Sequence, residues 1–353
     1  MEHTLSNVEA DGLINPKGRF RESEIASESL NSGVQLLGLY HDDLLSRALA
    51  QSLRNKPQTP HNRYTRFYCQ KSSTYKKTAI TLSCVQYTEL LLEMMAKRKG
   101  EKARWRVVVV LEAIKVICRL ILMRLTNSRP LLNPPLPERE LQEEKPAPDE
   151  EDMLHSPPSE ESEISHAGSE KWTMPRTSLT LPPLPSSEDI SSYLLSKVLT
   201  ADDVKPPKAL LQRTAGLGEI AEVLYILRPL IYASAMAYWN QRQDGKGKAD
   251  WRPWLIGLSV EYGARQLAKR DLETRRPGGA RGLTQLERDE FKKRSWGMAW
   301  WGMRGAFYEN VTRGVILGFA GKLKGKPLLD MVGTFMEDYD FLWEQYYFPT
   351  ATL

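Results

Sequence analysis

The chain has 353 residues, a formal net charge of +5 and 41% hydrophobic residues. It is long enough for two or three domains. Its three cysteines are too few and too widely spaced for a disulfide framework or a zinc site, and the first 30 residues hold no apolar run that suits a secretory signal. A disulfide-stabilised secreted domain is therefore excluded.

Charge is distributed very unevenly along the chain. Residues 44–129 hold 18 basic and four acidic residues, whereas residues 138–170 hold twelve acidic and two basic ones. An unbalanced basic segment is drawn to anionic lipid, nucleic acid or acidic proteins. Because it leads into an amphipathic helix, we favour a membrane or targeting segment over a nucleic-acid surface or a solvated face. The candidate residues are Arg63, Arg66, Lys71, Lys76, Lys77, Lys97, Arg98, Lys99, Lys102, Arg104 and Arg106.

Residues 105–125 have the 3.6-residue period of an amphipathic helix. Glu112, Lys115 and Arg119 fall on one narrow stripe of this helix, and most of the other residues are apolar. Charged side chains are costly inside a bilayer. We therefore expect the stripe to pack against protein or lipid headgroups and not against acyl chains.

Residues 130–205 are predicted to be a disordered acidic linker with one short helix, which begins near Ser186. Twelve of the 22 prolines lie in residues 130–185, and such a segment buries too little apolar surface to offset its ordering entropy. The linker separates an N-terminal helical region, residues 1–129, from an aromatic-rich C-terminal helical region, residues 206–353.

The C-terminal region opens with a segment that nearly matches a membrane span. Residues 220–239 reach the required length of about 20 residues, but Glu222 and the Arg228-Pro229 pair interrupt them. A buried Arg228 needs a carboxylate, and Glu222 lies on nearly the same face. The alternative is that Arg228 extends its charge towards a membrane interface.

A polar loop, residues 241–250, joins this segment to a second helix and predicts an antiparallel helical hairpin. Trp251 and Trp254 bracket Arg252-Pro253 at its start, which is typical of a water–lipid boundary, although packing in an aromatic core is the alternative. Further on, Thr284 and Glu287 have capping-box spacing. They are predicted to begin a long helix on which Trp296, Trp300, Met303 and Phe307 share a face.

The sequence offers no pattern that indicates catalysis. The five histidines are scattered, and Gly216-Leu217-Gly218 lacks the third glycine and the lysine of phosphate-binding loops. His41-Asp42-Asp43 fits a solvated helical turn better than a metal site. We therefore expect an all-α, multi-helix, membrane-associated protein with no catalytic, cofactor-binding or metal-binding residues, no small-molecule substrate and no nucleic-acid partner.

Four sequence blocks follow one another in an order that resembles a known family. They are GRFRESEIASESLNSGVQLLGLYHDDLL; TLSCVQYTELLLEMMAKRKGEKARWRVVVVLEAIKVICRLIL; AEVLYILRPLIY with WRPWLIGL; and GLTQLERDEFKKR, continuing into AFYE and FLWEQYYF. Together they resemble the peroxin-16 family of peroxisomal membrane biogenesis proteins. The third block contains Arg228, Pro229, Trp251, Pro253 and Trp254. The family usually has a further helical stretch before the first block, where this chain has polar residues, and a truncated or alternative gene start would account for that difference.

The resemblance implies a non-enzymatic protein that reaches the peroxisomal membrane directly or through the endoplasmic reticulum. It also implies a role in peroxisome formation and in docking or inserting other peroxisomal membrane proteins, with peroxin-3 and its chaperone peroxin-19 as expected partners. In similar proteins a basic segment and the hydrophobic stretch after it direct targeting. The alternative is a soluble helical scaffold or regulator that binds acidic partners through its basic face.

Overall fold

The computed structural model describes residues 16–48, 59–139, 205–242, 250–275, 282–323, 340 and 342–351. Within these ranges the chain forms helices, turns and short connections and no strand, which confirms the all-α prediction. The α-helices are α1 (Pro16–Ala48), α2 (Pro60–Lys71), α3 (Ser73–Arg98), α4 (Glu101–Leu125), α5 (Leu217–Arg242), α6 (Trp251–Arg275), α7 (Gln285–Gly297), α8 (Gly305–Phe307) and α9 (Arg313–Leu323).

Five of these helices pack side by side in chain order, as α1, α3, α4, α5 and α6. Neighbouring helices run antiparallel. Between α1 and α3, for example, the Ser32 hydroxyl donates to the Tyr87 carbonyl at 2.9 Å, while Asp43 pairs with Lys76 near the start of α3. Because α4 packs directly against α5, the helical regions on either side of the predicted linker share one compact unit.

Two clusters of buried side chains hold the row together. The first joins α2, α3 and α4 to the segment before α5, and it contains Tyr64, Tyr68, Tyr75, Leu122, Leu210 and Leu211. The second lies between α4 and α5 and is covered by residues from the end of the chain; it contains Trp105, Val108, Tyr232, Met236, Trp301, Tyr347 and Phe348. The C-terminal segments therefore cover one face of the row.

The start of the linker, predicted at residue 130, lies too early in the chain. Leu132 is 3% exposed within the first buried cluster. The Asn62 amide donates to the Glu138 carbonyl at 3.0 Å and accepts from the Glu138 backbone amide at 2.8 Å. Residues 130–139 are therefore part of the folded unit, because an apolar side chain and a reciprocal hydrogen-bonded pair fix both ends of this segment. Residues 140–204, with the predicted short helix, lie outside the described residues.

The capping box at the start of α7 is confirmed, but the long helix predicted beyond it is not. The Thr284 hydroxyl accepts from the Glu287 amide, and the Glu287 carboxylate accepts from the Thr284 amide. The α-helix then ends at Gly297 and tightens into a 3₁₀ segment, Met298–Met303. This turn directs Trp301 into the core at 3% exposure, while Trp296 and Trp300 remain exposed. The aromatic residues therefore do not share one helical face.

Helices α5 and α6 form the predicted antiparallel hairpin, with residues 243–249 of its loop outside the described ranges. The two helices keep one register along this stretch. Arg228 pairs with Glu261, and four residues further along α5 Tyr232 contacts Gly257, which lies four residues earlier on α6. Gly257 lies against the rings of both Tyr232 and Trp301. A glycine is needed here because the hairpin and the 3₁₀ segment approach each other closely.

We expect Gly257→Ala to lower the free energy of unfolding by about 1–3 kcal/mol, because an added methyl group would overlap the Trp301 indole. Gly263→Ala is the matched control on the same helix. No atom lies within 4 Å of its added methyl, so this change is expected to stabilise the helix by roughly 0.5–1 kcal/mol. Denaturant unfolding of the two variants in detergent measures the difference. Equal stability of both variants would show that the contact with Trp301 is loose.

Candidate membrane-facing surface

Helix α4 has its polar side inside the protein. Glu112, Lys115 and Arg119 are 0%, 3% and 2% exposed. The stripe was expected to pack against either protein or lipid headgroups, and in the structure it packs against protein. In a water-soluble helix the charged face normally points outward, so α4 is inverted with respect to that rule.

Two of the buried charges of α4, Glu112 and Lys115, pair with each other, and Lys115 also pairs with a carboxylate of the preceding helix. Lys115 Nζ donates to Glu112 Oε1 at 2.8 Å and to Glu89 Oε2 at 2.9 Å. Burial raises the pKa of Glu89 to about 7, against the opposing effect of the Lys115 ammonium. This pairing lets α3 and α4 hold charges away from solvent.

The opposite side of α4 is apolar and uncovered by described residues. Val110, Ile114, Ile117 and Ile121 follow one another at intervals of four, three and four residues, and all four are exposed. We call these four residues the outer stripe. Arg106 and Arg124, which are also exposed, lie beyond its two ends, about 27 Å apart along the helix. Apolar side chains flanked by arginines suit a lipid environment with headgroups at each end.

Helix α5 continues this apolar surface. Leu217, Ile220 and Tyr238 are exposed, and partly buried Leu227 packs with Leu120 of α4 in a small cluster between the two helices. Among the described helices, α5 alone is long and apolar enough to cross a bilayer, although more than half of its most apolar stretch is buried inside the protein. Core helices of soluble proteins meet the same criterion of length and composition. The inverted pattern of α4 is therefore the stronger indication of lipid contact.

Arg228 and Pro229 lie on the buried side of α5. Arg228 is 1% exposed, and its Nη1 donates to Glu261 Oε2 on α6 at 2.7 Å. The Trp301 indole and Arg265 also donate to Glu261. The buried ion pair is therefore present, but the predicted partner is wrong. Glu222 instead binds Arg294 of α7, with both of its oxygens 2.7 Å from guanidinium nitrogens.

The two tryptophans at the start of α6 both contact Phe307 and each other, but they differ in exposure. Trp251 is 39% exposed, whereas Trp254 stacks on Phe307 and donates its indole N–H to the Trp301 carbonyl at 2.9 Å. Pro253 is buried in the first turn, where its missing N–H is tolerated. Trp254 is thus held in the aromatic core, and contact of Trp251 with headgroups stays a prediction.

The predicted basic block does not form one face. Lys77 and Lys97 lie 20 residues apart on α3, which places them about 30 Å from each other. Arg104 is buried and pairs with Glu93 at 2.8 Å, and Lys97 donates to Gln345. Half-buried Arg63 and Arg66 and exposed Lys71 belong to α2, and half-buried Lys76 pairs with Asp43. The exposed bases near the α3–α4 turn are Arg98, Lys99, Lys102 and Arg106.

Sequence patterns did not reveal the carboxylates that complete these buried pairs. Glu93 and Glu261 have no neighbours in the sequence that distinguish them from surface residues. The outer stripe was accessible to sequence analysis, because it is the complement of the polar stripe on the same helix. Among the described residues, no group of three or more histidine, cysteine or acidic side chains could hold a metal ion.

Comparison with known proteins identifies the family of the chain. The family model described as peroxisomal membrane protein (Pex16) matches residues 14–345. A relative, the peroxisomal membrane protein PEX16 of Schizosaccharomyces pombe, is 20% identical over 299 residues, which cover 83% of this chain and 78% of the relative. No solved structure matches the chain. Because the family model spans nearly its whole length, the chain belongs to the Pex16 family of peroxisomal membrane proteins.

Proposed function

We propose that this protein acts in peroxisome membrane biogenesis by docking or inserting other peroxisomal membrane proteins. Family membership supports the cellular role. The observation that supports direct contact with lipid is the inverted helix α4, whose charges are buried and whose outer stripe is exposed. In this proposal α4 and α5 face the lipid, and the remaining surface is left for client proteins.

The alternative of a soluble scaffold is less well supported. It requires one continuous basic face for acidic partners, yet the basic residues are divided between two ends of α3, and Arg104 is buried in an ion pair. It also leaves the outer stripe in contact with water, at a cost of about 25 cal/mol for each Å² of apolar surface. A lipid-facing α4 needs no continuous basic face and takes the outer stripe out of water.

The clients we propose are peroxin-3 and its chaperone peroxin-19, as the family resemblance implies. The test uses vesicles that contain the full chain and matched vesicles without it. Peroxin-3 is added in complex with peroxin-19, and the fraction that resists alkaline extraction is measured. We expect more inserted peroxin-3 in the presence of the chain. Equal insertion into empty vesicles would contradict a docking or inserting role.

The exposed bases at the α3–α4 turn give a separate prediction about membrane attachment. Changing Arg98, Lys99, Lys102 and Arg106 to glutamine is expected to weaken binding to anionic vesicles by at least tenfold, since each base near such a surface contributes about 1 kcal/mol. The control changes Lys269 and Arg270, two exposed bases on α6, which we expect to have little effect. Vesicle co-flotation measures both. Equal losses for each base removed would show that binding depends on net charge alone.

A further inference from the structure

A cavity of about 830 Å³ lies on the covered side of the helical row, beneath α4 and α5. Its walls come from the start of α2, residues 131–138, α5, α7 and the 3₁₀ segment after it, together with one side chain each of α3 and α4. All of these belong to the same compact unit. The volume is within the range of about 300–1,000 Å³ that is usual for small-molecule sites.

One wall of the cavity carries a buried charge without a direct partner. Arg119 is 2% exposed, and its Nη1 is fully buried without a hydrogen bond. Its guanidinium makes no hydrogen bond or ion pair with the described residues. The carboxylates of Glu112 and Glu89 attract it electrostatically but do not bond to it. Burial lowers its pKa. A buried guanidinium normally has a hydrogen-bonded anion, so this environment is suited to an anion from outside the chain.

Other polar groups in the cavity are engaged differently. Arg294 is satisfied by Glu222 and by the Leu131 carbonyl. His61 Nε2 donates to the Pro134 carbonyl at 3.0 Å, and its Nδ1 is buried without a partner. The buried carboxylates of the lining, Glu222 and Glu290, pair with Arg294 and Lys293, while Glu138, Asp289 and Lys292 are exposed at its edge. Arg119 is therefore the buried charge that the cavity leaves for an anionic group.

By area, most of the surface inside the cavity is apolar. Leu131, Ile226 and Leu286 contribute aliphatic walls, and Trp296 and Trp300 lie at the edge with exposures of 72% and 40%. A free anion would leave these surfaces uncovered. A neutral lipid would leave Arg119 without a counter-charge. The two parts of the cavity together fit one ligand that has an acidic group and a hydrocarbon chain.

We propose that this cavity binds an anionic amphiphile, with its acidic head group on Arg119 and its chain among Ile226, Leu286 and the two exposed tryptophans. This site is distinct from the outer stripe, because Arg119 lies on the opposite side of α4. It does not depend on the proposed docking role. A protein that fails to insert peroxin-3 can still bind this ligand, and the converse also holds.

The first test uses the purified full chain and three soluble probes: dihexanoyl phosphatidic acid, dihexanoyl phosphatidylcholine and inorganic phosphate. Calorimetric titration is expected to show binding of the phosphatidic acid at least tenfold tighter than either of the others. Arg119→Gln is expected to abolish this preference, whereas Arg124→Gln, an exposed arginine on the same helix, leaves it unchanged. Equal affinity for the two lipids would overturn the role of Arg119, and phosphate binding as tight as the lipid would overturn the amphiphile.

The second test needs no substitution and so does not depend on the folding of the Arg119 variant. The wild-type chain is photolabelled with a phosphatidic acid that carries a diazirine in its acyl chain, and the labelled residues are mapped by mass spectrometry. Labels near Ile226 and on residues 286–300 support the proposal. Labels confined to the outer stripe would overturn it, because the lipid would then contact only the surface.

Discussion

Replacing Val110 and Ile117 together with aspartate is expected to release the protein from the peroxisomal membrane. Both residues belong to the outer stripe and are 56% and 57% exposed, so the protein core need not change. A carboxylate in the centre of a bilayer costs about 2.5–3.5 kcal/mol on insertion scales, and even about 1.4 kcal/mol changes partitioning tenfold. We therefore expect at least a tenfold lower membrane-bound fraction in carbonate-free flotation.

The matched control lies on α1. Val34 and Leu37 are similar in type and are 60% and 57% exposed, within an apolar stripe of α1 that also contains Leu30 and Tyr40. The ends of this stripe carry carboxylates, Glu28 and Asp42, where the outer stripe has arginines, so anionic headgroups do not favour it. We expect the double aspartate variant at these positions to stay on membranes. An α4 variant that remains bound, or an α1 variant released to the same extent, would contradict the assignment of α4 as the lipid contact.

The largest effect on stability is expected from Glu93→Ala. Glu93 is fully buried and accepts from Arg104 at 2.8 Å and from the backbone amides of Tyr347 and Phe348 at 2.8–3.1 Å. The change leaves the Arg104 guanidinium and two amides buried without this acceptor. Removing one partner of a buried ion pair costs about 3–5 kcal/mol, so we expect denaturant unfolding to show a loss of that size.

Glu101→Ala is the control, because it removes a partly exposed carboxylate that pairs with the same arginine. Glu101 Oε2 lies 3.1 Å from Arg104 Nη1, but the Glu101 side chain is 46% exposed. An exposed ion pair contributes about 0–1 kcal/mol, so the control is expected to lose no more than that. If both variants were equally stable, Glu93 would not be the residue that attaches the end of the chain to α3 and α4.

Local patterns in the sequence predicted the local structure well. The polar stripe on α4, the capping box at Thr284 and the α5–α6 hairpin all depend on residues close together in the chain. Their physical causes, helical periodicity and the hydrogen-bonding needs of helix ends, act over a few residues. The stripe was the most informative of them, although its burial could be established only from the structure.

Long-range partners were not predictable in the same way. Arg228 required a carboxylate, and periodicity favoured Glu222, but Glu261 on the antiparallel helix is nearer to it in space. The end of α7 at Gly297 depends on Trp301 entering the core beside Gly257, which no neighbouring residue indicates. The linker began too early in our prediction because composition alone cannot show that Leu132 finds a buried site.

Membrane association through α4 requires direct contact between the outer stripe and lipid, so the depth of Ile117 in the bilayer is the decisive measurement. A single cysteine at this position, in a chain whose Cys69, Cys84 and Cys118 are replaced, carries an environment-sensitive fluorophore. The folded protein is then bound to vesicles that contain brominated lipids. We predict strong quenching at position 117 and much weaker quenching for the same label at Leu37. A folded, membrane-bound protein without quenching at position 117 would show that the outer stripe does not contact lipid.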